Sequence, residues 1–76
     1  MKTIEIWEKC NEKFEGKALQ LCVAIENAEQ DLVKVSIRGG RSPFTFRDAK
    51  MHPKDACNIS AFLHKENWKR VSHFYL

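Results

Sequence analysis

Three cysteines (Cys10, Cys22, Cys57), three histidines (His52, His64, His73) and ten carboxylates are the groups in this 76-residue chain that could hold a metal or attack a substrate. Metal ligands usually come at short spacings such as C-x-x-C, C-x-x-H or H-x-x-x-H. None of these occurs, and the closest pair, His52 and Cys57, brackets Pro53. A cysteine nucleophile needs a basic surrounding that lowers its pKa. Cys57 alone has His52 and Lys54 nearby, and its position beside Ala56 and Ile59 on an apolar stripe is more simply that of a core residue. Cys22 and Cys57 are therefore expected to be buried, reduced and uncoordinated. There is no G-x-S-x-G, no Gly-rich phosphate loop and no paired carboxylate cluster, so the chain is read as a non-enzyme without a cofactor.

The richest local pattern is Val35-Ser-Ile-Arg-Gly-Gly-Arg-Ser-Pro-Phe44. If Gly39-Gly40 form a two-residue hairpin loop, they supply the positive φ angles of a primed turn, and Arg38 and Arg41 stand opposite each other across the ladder. Like charges in that position repel. A bound anion would relieve the repulsion, because guanidinium forks hold phosphate or carboxylate bidentately. Arg47 and Lys50 extend the same patch. The alternative is a fully solvated hairpin tip whose arginines only keep it soluble. A second basic-aromatic spot, Trp68-Lys69-Arg70 with Tyr75, follows later in the chain. Most of the aromatics must fill the core of so short a chain, which leaves Trp68 and Tyr75 as the candidates to meet a partner.

Charge supports a basic face. Residues 1–33 carry four lysines against seven carboxylates, whereas residues 34–76 carry nine Lys or Arg against three carboxylates, and all four arginines lie in this second part. An acidic partner suits that asymmetry. The composition, 43% hydrophobic and 30% charged, is that of one folded compact domain spanning residues 1–76. No window approaches the roughly 20 apolar residues of a membrane span and no signal-peptide run opens the chain. Three unspaced cysteines fit a reducing, cytoplasmic setting.

These groups must be positioned by a small set of elements. Leu19, Leu21, Val23 and Ile25 alternate with Gln20, Cys22 and Ala24, and Val33, Val35 and Ile37 alternate with Lys34, Ser36 and Arg38, so 19–25 and 32–38 are expected to be paired antiparallel strands. Phe44-Thr-Phe46 continues the meander. After Pro53 the apolar spacing becomes helical, through Ala56, Ile59 and Phe62 or Leu63, which predicts a helix over 54–66 with Asp55 in its first turn. A terminal strand follows over 70–76. The first segment fits two patterns: Ile4, Trp7, Cys10 and Phe14 keep helical spacing with Gly16 as a C-cap, whereas the β-branched residues before residue 8 favour a strand.

The expected class is α+β: an antiparallel sheet of three to five strands, one C-terminal helix packed on one face, and a final strand. The expected function is that of a small non-catalytic regulator or inhibitor docking an acidic surface of a macromolecular partner, a type that includes the accessory proteins phages use against host machinery. Its contact residues would be Arg38, Arg41, Arg47, Lys50, Trp68, Lys69, Arg70 and Tyr75. A protein partner is favoured, with a nucleic-acid-binding module as the alternative and a metal or redox protein third. Exposed aromatics on an open sheet face would favour nucleic acid, and an apolar patch rimmed by charge would favour protein.

Overall fold

The computed structural model describes residues 2–39 and 46–76. The elements run β1 (Lys2–Phe14), β2 (Lys17–Asn27), β3 (Val33–Gly39), β4 (Phe46–Met51), α1 (Pro53–Lys65) and β5 (Trp68–Tyr75). They form a five-stranded sheet in the order β4-β3-β2-β1-β5, antiparallel at every pairing, with one helix and a final strand: an α+β fold. The first four strands are a meander. Since β4 and β5 point the same way on opposite edges, α1 must cross one face of the sheet to join them.

The first segment is a strand, and a longer one than its β-branched start suggests, reaching Phe14. Glu15 (φ 51°) and Gly16 (φ 78°) lie consecutively in the left-handed region, the conformation of a primed two-residue turn, so Gly16 closes a hairpin instead of capping a helix. The helical spacing of Ile4, Trp7 and Cys10 loses because it is coincidental: residues 3–8 have a strand partner on both sides, β2 on one and β5 on the other. The strands expected over 19–25 and 32–38 pair as antiparallel neighbours, Val23 with Ile37 and Ile25 with Val35.

The Gly39-Gly40 turn requires correction. Such a turn would pair Ile37 with Ser42, yet Ile37 pairs with Phe46, and Gly39 is still inside β3 opposite Leu21. Gly39 has a different reason to be glycine. At φ +85° its added Cβ would lie 2.7 Å from the carbonyl oxygen of Gln20, so the close approach of β3 to β2 excludes a side chain. Arg41 lies outside the described residues, as does Phe44.

The helix begins at Pro53, whose missing N–H costs nothing in a first turn, and His52 O accepts from Asp55 N (2.9 Å) and Ala56 N (3.1 Å). It ends at Lys65, and just past the Glu66 cap Asn67 takes the left-handed conformation (φ 68°) while its N–H donates to His64 O. Its inner stripe is Ala56, Ile59 and Leu63; of the two candidate positions, Leu63 is buried and Phe62 is exposed. Beneath the stripe lie Trp7, Leu21, Val23, Val35, Ile37 and Trp68. Truncating Leu63 to Ala should cost about 2–5 kcal/mol in urea unfolding. Gly39→Ala should cost more than about 1 kcal/mol although it adds only a methyl group, since strain and backbone contact act together.

Candidate functional site

Residues directly opposite one another in a sheet share a face, so the register sorts every strand residue. Glu5, Trp7, Leu21, Val23, Ile25, Val33, Val35 and Ile37 lie on the face covered by α1. The other face carries the row Phe74–Ile4–Ala24–Ser36, the row Ser72–Ile6–Cys22–Arg38, and a charged row Lys2–Glu26–Lys34–Lys50. Lys69, Glu8 and Gln20 form a fourth row on this open face. Lys69 and Phe74 share it despite their odd separation because the β1–β5 register shifts between Ile6 and Trp7, leaving Val71 as the extra residue of a bulge.

Among the described residues no helix or strand packs on this open face, which is apolar at its centre and cationic at its rim, although Ile4 and Ser36 within it are buried. Ile4 is buried, Ile6, Cys22 and Ala24 are half-buried, and Phe74 is 44% exposed. Around them, Lys34 pairs with Glu26 and Lys50 with Glu29, both at 2.9 Å, whereas Arg38 and Lys69 make no ion pair among the described residues. The Lys34 ammonium hydrogen-bonds the Glu26 carboxylate and pulls it below its ordinary pKa of 4.5, and Lys50 does the same to Glu29; Lys34 in turn is raised above its ordinary value by Glu26.

The expected contact residues divide between the two faces. Arg38, Lys50 and Lys69 lie on the open face, and Arg47 is exposed in β4. Tyr75 is 62% exposed but lies on the helix-covered side, its ring 5.2 Å from His73. Trp68, expected to be free for a partner, is instead core: 4% exposed, with Lys9 Nζ 5.4 Å from its ring centroid. There it joins Leu63 from the last turn of the helix and Trp7 in the same buried cluster, which so small a chain needs its large apolar groups to fill. Arg70 remains 45% exposed, but its guanidinium is engaged within the chain. Its guanidinium donates to Glu5 Oε2 at 3.1 Å, and Trp7 Nε1 donates to Glu5 Oε1 at 3.1 Å, so both oxygens of the buried Glu5 carboxylate are satisfied. A groove of about 360 Å³ beside this pair is bordered by Val33, Pro53, Ala56, Cys57 and Ser60. Glu5, held by its two donors, and Arg70 also line that groove.

The cysteine expectation is also corrected. Cys57 is exposed and Cys22 half-buried; the helix turns Ala56 inward, which carries its neighbour outward, and Cys22 sits on the open face. All three thiols are free. Among the described residues, no three His, Cys, Asp or Glu side chains come together as a metal site, and no helix is long and apolar enough to cross a membrane.

Sequence reasoning missed Ile4, Ile6, Lys2 and Lys34 as members of a surface. The available signal was in β1, where Ile4 and Ile6 are apolar on one parity and Trp7 on the other. A strand apolar on both faces lies in the middle of a sheet, and the face without a helix then presents those residues.

Two measurements check this geometry. Arg70→Leu leaves the buried Glu5 carboxylate with one donor and should cost about 1–3 kcal/mol in urea unfolding. In carboxylate NMR titrations, Glu26 and Glu29 should have midpoints below 4.5. A depressed folded-state pKa means each ion pair contributes at pH above the unfolded value and is lost as pH falls through the folded one, so Lys34→Met should return Glu26 alone to the ordinary range.

No protein-family model, curated protein or solved structure matches this chain.

Proposed function

We propose that this chain is a non-catalytic binding protein, a small regulator or inhibitor that docks the open face of its sheet onto an acidic surface of a protein partner in the cytoplasm. One observation carries the reading: an apolar centre of Ile4, Ile6, Ala24 and Phe74 is surrounded by cations, of which Arg38 and Lys69 are unpaired among the described residues. Protein interfaces share that anatomy, an apolar core that excludes water and a polar rim that sets partner and orientation. The three free thiols suit a reducing compartment. Nucleic acid is the second reading, and Phe74 is the observation in its favour. It is the one aromatic on the open face among the described side chains, whereas strand-binding sheets stack several bases on several rings.

Capture from lysate by the immobilised chain, before and after nuclease, should yield a protein whose retention survives the digestion. The same protein should be lost or bound at least roughly tenfold more weakly by Arg38→Glu, while Lys54→Glu, an equal charge change on the helix, should bind within about twofold of the unsubstituted chain. Retention that nuclease abolishes, with a logarithm of affinity that falls linearly with the logarithm of salt, would instead establish the nucleic-acid reading.

A further inference from the structure

The two edges of the sheet are guarded very differently. The β4 edge is six residues long, carries Arg47, Asp48 and Lys50, and is distorted by a register shift at which Asp48 adopts φ 37°. Charges, brevity and bulges are how natural sheets discourage another strand from pairing. The β5 edge has its bulge and its cations, Lys69 and Arg70, at one end only. Its remaining run, Ser72-His73-Phe74-Tyr75-Leu76, contains no Lys, Arg, Asp, Glu, Gly or Pro, and Phe74, Tyr75 and Leu76 are all exposed.

The hydrogen-bond phase of this run is defined. Lys2 and Leu76 exchange both backbone bonds, Leu76 N to Lys2 O at 2.8 Å and Lys2 N to Leu76 O at 3.4 Å. Alternation along an antiparallel ladder then directs the backbone groups of Phe74 and Ser72 towards β1, opposite Ile4 and Ile6, and those of His73 and Tyr75 towards the open edge.

We propose that this edge binds a second copy of the chain, β5 against β5, in an antiparallel two-fold pairing centred on Phe74. In that register His73 stands opposite Tyr75 twice, so each outward N–H meets an outward carbonyl. Phe74 meets its own copy across the axis in a non-hydrogen-bonded pair, where the Cα atoms are about 4.5 Å apart and aromatic pairs are favourable. Both Phe74 rings are on the open face, and Tyr75 meets the second copy's His73 on the other. Lys69 and Arg70 stay outside the overlap, so no cation faces a cation. An isologous contact needs this kind of self-complementarity, and a mirror-matched run of five residues supplies it. Two sheets joined in this way form one ten-stranded sheet with a continuous open face.

Sedimentation equilibrium of the purified chain over roughly 10 μM to 1 mM tests the proposal, this being the range expected for a short, exposed contact. A monomer–dimer equilibrium is expected. Phe74→Lys, which sets two ammonium groups against each other on the axis, should raise the dimer Kd at least roughly tenfold. His73→Pro removes one outward donor, a substitution an edge strand tolerates, and should have the same effect with circular dichroism and urea midpoint close to those of the unsubstituted chain. A chain that stays monomeric throughout, or a dimer whose Kd neither variant changes, overturns it. The measurement uses no other partner, so its failure leaves the proposed docking function untouched.

Discussion

The fold depends on one buried indole. Trp7 has no exposed surface and sits at the centre of the sheet's covered face, paired with Leu21 on β2 and Arg70 on β5. Its ring meets His64 of α1 edge-on at 5.1 Å, and its Nε1 donates to Glu5. One side chain thereby touches the helix, both neighbouring strands and the buried carboxylate. A domain this small has few large apolar groups, so burying this one completely decides where the helix lies and which face of the sheet remains open.

That placement has an electrostatic consequence. A carboxylate beneath a helix is costly unless its oxygens are occupied, and Glu5 is kept there by the two donors that β1 and β5 bring to it. Arg70, which composition alone would count as part of a free basic surface, is thereby ion-paired on the helix-covered side, although its side chain stays 45% exposed. Arg38 and Lys69, which make no ion pair among the described residues, are cations whose strand positions place them on the face opposite Trp7.

Bulges decide the rest of the surface. Without the shift at Val71, strict two-residue alternation would put Lys69 on the same side as His73 and Tyr75; with it, Lys69 joins Phe74 on the open face and Arg70 joins Glu5. The shift in β4 at Asp48 likewise blunts the opposite edge and leaves β5 as the unguarded one. Each bulge moves side chains by one position, a small local event that changes which residues a partner meets.

Much of this was legible in the residues. Alternation over 19–25 and 32–38 and the change of period at Pro53 specify two strands and the helix, because each pattern matches one backbone geometry and a single buried face. The β-branched start of β1 marks it as a strand, and the two apolar parities of Ile4, Ile6 and Trp7 carry the mark of a central one. What the tertiary structure alone decided is the place of β5 in the sheet and the register of the pairings. That β5 crosses over to pair with β1, that Ile37 pairs with Phe46 and so rules out a turn at Gly39-Gly40, and that Trp68 is core while Phe74 is surface all follow from long-range register. Register is set by packing between segments far apart in the chain, and a one-residue slip exchanges inside for outside, so local pattern identifies the strands of this protein while their assembly selects which residues its two faces carry.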